Sequence, residues 1–539
     1  MGQLRKVTIN KGQGGVGGNV AGKDHICGLV FDSTTYPTAL AGYTSLSSGN
    51  PIAKLNSLQD AINLGINDSH SDETKGTAGS PSYLFTTAGA AGEVWYLYVT
   101  PAFGVKTLLG SYTVVTGDST ATVAAGLNAN INLRKNIHGF SSTTPPATSS
   151  LYIVVPSKYG ASLNGGAVLS SEVYTSTGAI GTGAATKTQF TGGVGSIFAI
   201  LYYHLKMAFD SNPSVVIYLG IYNLTTFSGT GVEALQQYAN GDIRNMFVWT
   251  DTASSSLASM VGVLQTSGET MNSNARPCSI ILESNSKATT ASALTDLSSL
   301  ISASKEAFVS VSIANSASGE GWRLLGVCGV SIGATGAIIG ALSRAKVNQN
   351  IGEVLSFDLT SGTEFVSENG RDGAALGTGE EVRTLSDNLV KQLDNHRYIF
   401  TCRYDDIAGV YLNDSWNCTS ITNDFNAIER VRTIDKAGRN VKAALTPLIN
   451  SNLDVDPTTG RLADSTIALF TSEALAALNL MAIDGEIATL ADGSLPSGTV
   501  SIDATQDVIS TSKIVITIKI VPKGIARAIT VNLTFAKSV

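Results

Sequence analysis

Apolar residues recur along the chain with two different spacings, one typical of strands and one typical of helices. Between residues 196 and 347, short apolar runs alternate with longer stretches in which apolar residues recur every three or four positions. The runs predict strands at 215–221, 246–249, 278–282 and 307–313, and the stretches predict helices at 197–209, 231–240, 255–266, 293–304 and 333–347. Strands that alternate with helices of this length are typical of a doubly wound, mainly parallel sheet. The pattern therefore predicts an α/β core.

Both ends of the chain carry strand-like patterns. Residues 5–10 form a short run that five glycines, between residues 12 and 18, separate from the next predicted strand at 25–31. Near the other end, apolar residues alternate with others in 513–521 and again in 529–535. Alternation of period two indicates a strand with one covered face. The chain is therefore predicted to begin and end in strands, the first of them on a flexible joint.

A long helix is predicted near 425–449, after a strand at 398–403 and before a second helix at 464–481. One stripe of this long helix is mainly apolar, and arginine, lysine, aspartate and glutamate occupy the rest of its surface. Such a charged surface needs either water or a charged neighbour.

The composition changes between residues 76 and 195, where eight charged residues occur in 120, against 69 in the other 419. Strand-like runs and one helical stretch, 120–135, predict a separate β-rich module here. The predicted fold class is thus multidomain, with α/β and α+β parts and a discontinuous core. We expect four parts: an N-terminal arm (1–24), the α/β core (25–69 plus 196–395), an inserted β-rich outer domain (70–195) and a C-terminal α/β domain (396–539).

Charge and hydropathy exclude several partners. The net charge is −7, and no run of lysine and arginine exceeds two residues, so the basic patch that nucleic acid requires is missing. The basic N-terminus leads into no apolar segment, so no secretory signal is expected. Residues 324–343 carry no charge, yet their glycines recur at steps of three and four. We expect a turn and a buried helix there, and no membrane insertion.

No motif supplies phosphate-binding or nucleophilic chemistry. Gly12-x-Gly14-x-x-Gly17 matches the dinucleotide fingerprint, and Gly17 to Lys23 matches most of a phosphate loop, but both motifs must open a helix and these lead into a predicted strand. Ser302-x-x-Lys305, followed by Ser-Asp-Asn at 386–388, is similar to the penicillin-recognising enzymes, yet the downstream Lys-Thr-Gly is missing. We interpret both as chance matches.

The remaining side chains that could bind a metal or act in catalysis form no recognised motif. The five cysteines form no C-x-x-C pair, the five histidines are scattered, and Asp454-x-Asp456 lacks the glycine and the terminal glutamate of a calcium loop. His204, in an apolar helical stretch, is expected to be a core residue. The sequence therefore predicts no catalytic residue, cofactor or metal, and a protein that is not an enzyme.

Several stretches resemble contractile tail sheath proteins, in particular the branch, found in phages and injection systems, that is known by domains of uncharacterised function. They are 55–66, 202–206 leading to 212–220, 341–352, 428–436 and the paired strands at the C-terminus. In that family the first two stretches are close in sequence, whereas here the low-charge module lies between them.

The resemblance implies a structural role. Sheaths of this family are helical stacks of six-subunit rings around an inner tube, and they shorten irreversibly to drive the tube outward. Each subunit lends terminal strands to its neighbours' sheets. The residues expected in exchanged strands are Arg5, Lys6, Val7, Thr8, Ile9, Asn10, Ile529, Val531, Leu533 and Phe535. Our hypothesis for the inner-tube contact is the charged surface of the long helix, with Arg430, Arg432, Asp435, Lys436 and Arg439.

The implied partners are further copies of the chain, an inner tail tube protein, and baseplate and tail terminator proteins. The implied location is a phage virion or an injection particle that assembles in the host cytoplasm. Two alternatives stay open: a passive tube, capsid or surface-layer protein, and a nucleotide- or phosphate-handling α/β enzyme with an added β-domain.

Overall fold

The first described elements belong to the central sheet. This computed structural model describes residues 23–37, 39–40, 50–67, 81–100, 106–138, 140–154, 168–189, 197–253, 257–328, 330–367 and 370–531. Strand β1 (Ile26–Asp32) is buried at every position, and β2 (Ile52–Leu55) leads into helix α1 (Leu58–Asn63). Ser57 caps α1, because its side chain accepts a hydrogen bond from the backbone N–H of Asp60.

The inserted domain folds around its own core. Its elements are β3 (Ser82–Thr87), β4 (Val94–Thr100), β5 (Thr107–Thr113), α2 (Thr120–Leu133), α3 (Lys135–His138), β6 (Ser141–Thr143), β7 (Ser150–Val154), β8 (Val168–Tyr174) and β9 (Ala184–Thr188). The strands form two antiparallel sheets, ordered β6-β7-β3-β9 and β5-β4-β8. Helix α2 contributes Val123, Leu127 and Ile131 to a buried cluster that also holds Phe85 and Trp95.

After the insertion, helices and strands alternate. These elements are α4 (Ile197–Ser211), β10 (Val216–Tyr222), α5 (Thr230–Tyr238), β11 (Asn245–Ala253), α6 (Leu257–Ser273), β12 (Ser279–Asn285), β13 (Val309–Ser312), β14 (Ala314–Ser316), α7 (Gly319–Cys328), α8 (Thr335–Arg344), β15 (Ala374–Leu376), α9 (Asp387–Asn395), β16 (Tyr398–Ile399), β17 (Thr401–Cys402) and β18 (Tyr411–Leu412). Four of the five helices predicted between 197 and 347 are therefore present.

The fifth predicted helix, 293–304, is wrong. The segment instead forms a bridge from Ile301 to Thr419, and the backbone N–H of Leu297 donates to the carbonyl of His396. Serine and aspartate side chains supply local turns, since Asp296 accepts from the backbone N–H of Ser298. Such side chains compete with the helical hydrogen bonds that the apolar spacing suggested.

The seven-stranded sheet has the order β16-β13-β12-β11-β1-β10-β2. Every neighbouring pair is parallel except β2 and β10. Successive residues of a strand point to opposite faces, and Leu29 and Val30 accordingly lie in two different apolar clusters. One cluster includes side chains of α4, α7 and α8, and the other includes side chains of α5 and α6. Strand β16 belongs to this sheet although it follows the boundary predicted at residue 396.

Glycines allow α8 to approach α4 closely. An added Cβ at Gly336 would lie 2.2 Å from the backbone oxygen of His204, and one at Gly340 would lie 2.4 Å from the side chain of Ser211. All residues of α8 up to Ser343 are buried. The buried helix that the glycine spacing predicted is therefore present, and the glycines are where it contacts its neighbour.

The remaining elements are α10 (Ile428–Leu445), α11 (Asp464–Ile483), β19 (Val500–Ile502), α12 (Val508–Thr511) and β20 (Ile516–Ile518). Helices α10 and α11 pack together, and β19 and β20 form an antiparallel pair. Within the described residues, α11 is the one helix whose length and mean hydropathy would suffice to cross a membrane. Of the predicted strand 529–535, residues 529–531 have no strand partner here and the rest lies outside the described residues.

Candidate functional site

Helix α10 carries charged side chains into the interior of the subunit. Glu429, Arg432 and Asp435 are 3%, 2% and 6% exposed. The expectation that this charged surface faces outward is therefore wrong for Arg432 and Asp435. A buried charge is costly unless it is paired, so the partners of these side chains identify what the helix holds.

Asp24, the second described residue, binds Lys436 at the middle of α10. Its Oδ2 lies 3.1 Å from Nζ of Lys436, which also lies 2.6 Å from Oε1 of Glu486. Nη2 of Arg439 is 3.9 Å from the other oxygen of Asp24. The side chains of Lys436 and Glu486 are 12% and 5% exposed. We call these four residues the N-terminal anchor.

The electrostatics of the N-terminal anchor favour the ionised forms of Asp24 and Lys436. Burial acts to raise the pKa of Asp24, but Lys436, Arg432 and Arg439 outweigh it and hold that pKa below its ordinary value. Burial likewise acts to lower the pKa of Lys436, and the carboxylates of Glu486 and Asp24 raise it above its ordinary value instead. For Asp24 and Lys436 the attraction therefore exceeds the cost of burial, whereas burial raises the pKa of Glu486 although Lys436 counteracts it.

Arg527 binds the first turn of the same helix. Its Nε donates to Oδ2 of Asp414 at 2.6 Å, and its Nη2 donates to Oδ1 of Asp414 at 3.0 Å and to Oε1 of Glu429 at 2.9 Å. The two bonds to Asp414 form the bidentate geometry that arginine makes with carboxylates. The guanidinium carbon also lies 4.5 Å from the ring centre of Trp416. We call these four residues the C-terminal anchor.

The carboxylates of the C-terminal anchor are held in place by further donors. Asn350 donates its amide to Oδ1 of Asp414 at 2.6 Å, and the hydroxyl of Ser415 donates to Glu429. Burial raises the pKa of Glu429, although Ser415 and Arg527 counteract it. Burial acts to lower the pKa of Arg527, but Asp414 and Glu429 raise it above its ordinary value. The pocket is thus built for a cation.

Arg432, between the two anchors, ties α10 to α8. Its Nη2 donates to the carbonyls of Leu342 and Ala345 at 3.3 and 3.1 Å, and its Nη1 donates to that of Lys346 at 3.4 Å. Carbonyls at a helix C-terminus lack partners within the helix and carry partial negative charge. Arg432 satisfies them, and it therefore has a structural partner inside its own subunit.

Some of the other predicted site residues lie outside the described residues, and the rest are exposed or partly buried. The strand residues Arg5 to Asn10, Leu533 and Phe535 lie outside the described residues, whereas Ile529 and Val531 are 81% and 70% exposed. Arg430 is only partly buried. Sequence patterns alone missed Asp24, Asp414, Glu486 and Arg527. The signals available in the sequence were the pair Lys23-Asp24 just before the predicted strand 25–31 and Arg527 just before the predicted strand 529–535.

The motifs interpreted as chance matches have ordinary partners. Lys305 pairs with Glu269 at 2.8 Å, and the hydroxyl of Ser302 bonds that of Ser304. Asp456 accepts from the backbone N–H groups of Thr458 and Thr459, which forms a local turn. Among the described residues, no three histidine, cysteine, aspartate or glutamate side chains are grouped as a metal would need.

His204 is a core residue, as predicted. Its Nε2 lies 3.1 Å from the carbonyl of Ile332, and its Nδ1 accepts from the backbone N–H of Gly336 at 3.3 Å. Burial lowers the pKa of His204 to about 3. The imidazole is therefore neutral and bridges α4 to the start of α8.

The fold and these contacts define a multidomain α/β protein whose two described chain ends are fixed ionically to one helix. The chain belongs to the DUF2586 family: residues 4–416 match its N-terminal domain and residues 424–539 match its C-terminal domain. This match confirms the resemblance to a branch known by domains of uncharacterised function. The family's own division, between 416 and 424, falls shortly before α10.

Several solved structures are similar to the chain, and two of them follow. One is the six-fold symmetrised baseplate of the anti-feeding prophage, with 13% identity, 99% of this chain and 100% of that chain covered, and a TM-score of 0.44. The other is the sheath complex of an extracellular contractile injection system, PVC, in its contracted state, with 11% identity, 62% and 80% covered, and a TM-score of 0.39. No curated protein matches the chain.

Proposed function

We propose that this protein is the structural subunit of a contractile sheath, which polymerises as stacked six-subunit rings around an inner tube and shortens to drive that tube through a target envelope. The sequence resemblance described above, over most of 26–66 and 196–539, supports this proposal. The single structural observation that carries it is the state of the chain beyond Arg527.

Residues 529–531, the described part of the predicted C-terminal strand, have strand-like sequence but no strand partner. Ile529 and Val531 alternate with Thr530 and Asn532, and both apolar side chains are largely exposed in the isolated subunit. Exposed apolar residues of this kind mark a surface that another chain covers. We infer that a neighbouring subunit covers them by adding this segment to one of its sheets.

The β19–β20 pair supplies an acceptor for such a segment. Among the described strands, β20 pairs with β19 alone, and a two-stranded sheet is marginal by itself. Val515 and Val521, which flank β20, are 50% and 58% exposed. About eight interchain backbone hydrogen bonds, at a net ~0.5–1.5 kcal/mol each, would contribute on the order of 4–12 kcal/mol per link.

The tube contact is a separate proposal, and its residues change. Arg432, Lys436 and Arg439 have partners within the subunit and Asp435 is buried, so we propose the outer stripe of α10 as the contact. That stripe includes the partly buried Arg430 and the exposed Ile434, Gly438 and Lys442. Repeated in every subunit, a weak contact of this kind sums to a large attraction.

The test of the sheath proposal is assembly. Truncation of residues 528–539, or of residues 1–12, is expected to give a soluble, folded subunit by circular dichroism that forms no hollow striated tubes in electron micrographs. A finer variant changes Ile529 and Val531 together to aspartate. Its matched control changes Thr530 and Asn532 to aspartate, which adds the same charge to the other face of the strand.

We expect the control to assemble and the apolar-face variant to remain unassembled. Long striated tubes from the truncated proteins, or a wild-type protein that never forms rings or tubes at high concentration, would overturn the proposal.

A further inference from the structure

Both anchors lie on one helix, with opposite polarity. The N-terminal anchor receives a carboxylate, Asp24, among cations of α10, whereas the C-terminal anchor receives a guanidinium, Arg527, among carboxylates. Docking the wrong chain end into either pocket would place like charges together, which is a strong means of discrimination. Each end of the chain therefore has one matching position.

Opening the C-terminal anchor would leave buried charges without a partner, whereas Lys436 of the N-terminal anchor would keep Glu486 as its partner. The side chains of Asp414 and Glu429 are 8% and 3% exposed, and Arg527 is the one cation within salt-bridge distance of them among the described residues. Breaking a buried pair by removing one member is far more costly than breaking an exposed one. Exchange of a whole arm, anchor included, would require this pairing to break and to re-form with the Arg527 of another subunit, whereas exchange of only the residues beyond the anchor would not.

We propose that both anchors stay closed within one subunit, so that α10 is a common mounting from which two arms of different reach extend to neighbouring subunits. The inference rests on the proposed strand exchange. Ile529 lies two positions after Arg527, which allows a span of about 7 Å, since an extended chain covers ~3.3–3.6 Å per residue. The acceptor edge for the C-terminal strand must therefore lie beside the anchor, on a subunit in direct contact.

The N-terminal arm has a much longer tether. Asp24 lies fourteen positions after Asn10, and five of the residues between them, at 12–18, are glycines. Their maximum span is about 50 Å by the same rule, so this strand can reach a more distant subunit. The two links therefore differ in kind, the C-terminal one fixing an immediate neighbour and the N-terminal one tolerating displacement.

Carbodiimide cross-linking of the wild-type chain tests whether the N-terminal anchor is closed within one subunit. The reagent joins an ammonium to an adjacent carboxylate with no spacer, and Nζ of Lys436 is 3.1 Å from Asp24 and 2.6 Å from Glu486. Equal amounts of unlabelled and ¹⁵N-labelled subunits are mixed before assembly. Mass spectrometry then identifies whether the two linked peptides carry the same isotope.

We expect the two peptides of each link to carry the same isotope, because both come from one subunit. The Lys436–Glu486 link is the internal control, because both residues lie within the same packed C-terminal unit. Mixed-isotope links between Asp24 and Lys436 in assembled particles would overturn the inference. If no particles form, the sheath proposal fails, and the free subunit still tests the anchor. The anchor would be overturned if the free subunit formed the Lys436–Glu486 control link but no Asp24–Lys436 link.

Linker insertions test the difference in reach. Four glycines inserted after residue 18 should leave tube formation intact, whereas the same four glycines inserted after Arg527 should abolish regular tubes. Circular dichroism and the elution volume of the free subunit confirm that both variants fold. Equal tolerance of the two insertions, or a stronger effect of the N-terminal one, would contradict the proposed short C-terminal link.

Discussion

Glu429 and Lys436 lie seven residues apart on α10 and bind opposite ends of the same chain. Seven residues are close to two helical turns, so the two side chains leave nearly the same side of the helix about 10 Å apart along its axis. Asp24 and Arg527, which are 503 positions apart in the sequence, are thereby brought to one small region of the subunit.

The C-terminal anchor makes a measurable contribution to stability. Arg527→Met removes the cation and leaves Asp414 and Glu429 buried without it, so we expect a loss of about 3 kcal/mol in the free energy of unfolding by urea. Glu429→Gln in the same chain should recover part of this loss. Arg527→Lys keeps the charge but not the bidentate geometry, so its free energy of unfolding should lie between those of the wild type and Arg527→Met. Additive effects of the two single changes would show that the residues do not interact.

Asp435 should make stability fall as pH rises. Burial raises its pKa to about 7, with Arg439 and Arg244 counteracting and Glu306 reinforcing the shift. The unfolded chain has an ordinary aspartate pKa near 3.9, so the native state binds the extra proton between about pH 4 and pH 7 and loses that advantage above it. Asp435→Asn should therefore be more stable than the wild type by at least about 1 kcal/mol at pH 8.

At pH 4 the difference between Asp435→Asn and the wild type should vanish. Thermal unfolding at a series of pH values measures both effects. Asp424→Asn, at an exposed position just before α10, is the matched control and should leave the pH profile unchanged. A variant that is equally stabilised at pH 4 and pH 8 would contradict this role for Asp435.

Charge reversal on α10 should separate structure from tube binding. Arg432→Glu places a carboxylate against the carbonyls of Leu342 and Ala345, so we expect insoluble or unfolded protein, with a loss of more than about 3 kcal/mol. The double variant Arg430→Glu, Lys442→Glu should have a free energy of unfolding within about 1 kcal/mol of the wild type. In assembled particles that pair should reduce the number of tube-filled sheaths in electron micrographs. A normal number of tube-filled sheaths would show that the outer stripe of α10 is not the tube contact.

The insertion should be dispensable for folding of the core. It has its own buried cluster, and Ser82 pairs with Thr188 where the chain enters and leaves it. Replacing residues 72–194 with a short Gly/Ser linker should give a soluble protein that retains the core transition in thermal unfolding and still forms tubes. A folded deletion variant that cannot assemble would show that the insertion takes part in the contacts between subunits.

The α/β core could be predicted because its information is local. Apolar periodicity identified α4 and α8, and glycine spacing indicated the close contact that Gly336 and Gly340 make. The 293–304 stretch had similar spacing, but turns formed by its serine and aspartate side chains prevailed over the apolar pattern.

The anchors could not be predicted, because their partners are distant in sequence. Lys436 and Asp24 are 412 positions apart, and Arg527 and Asp414 are 113 apart. The periodicity of α10 showed a charged surface and suggested an external partner, whereas the partners are the two ends of the same chain. Charge alone carries no information about which side chain will meet it.

The pairing of Ser82 with Thr188 has an evolutionary consequence. Partners in antiparallel strands lie about 5 Å apart, so more than a hundred residues of the insertion interrupt the core through an opening little wider than a single loop. A gene segment with these ends can be acquired, lost or replaced in one recombination event without disturbing the registers of the central sheet. Replacement of the module is therefore compatible with an unchanged core.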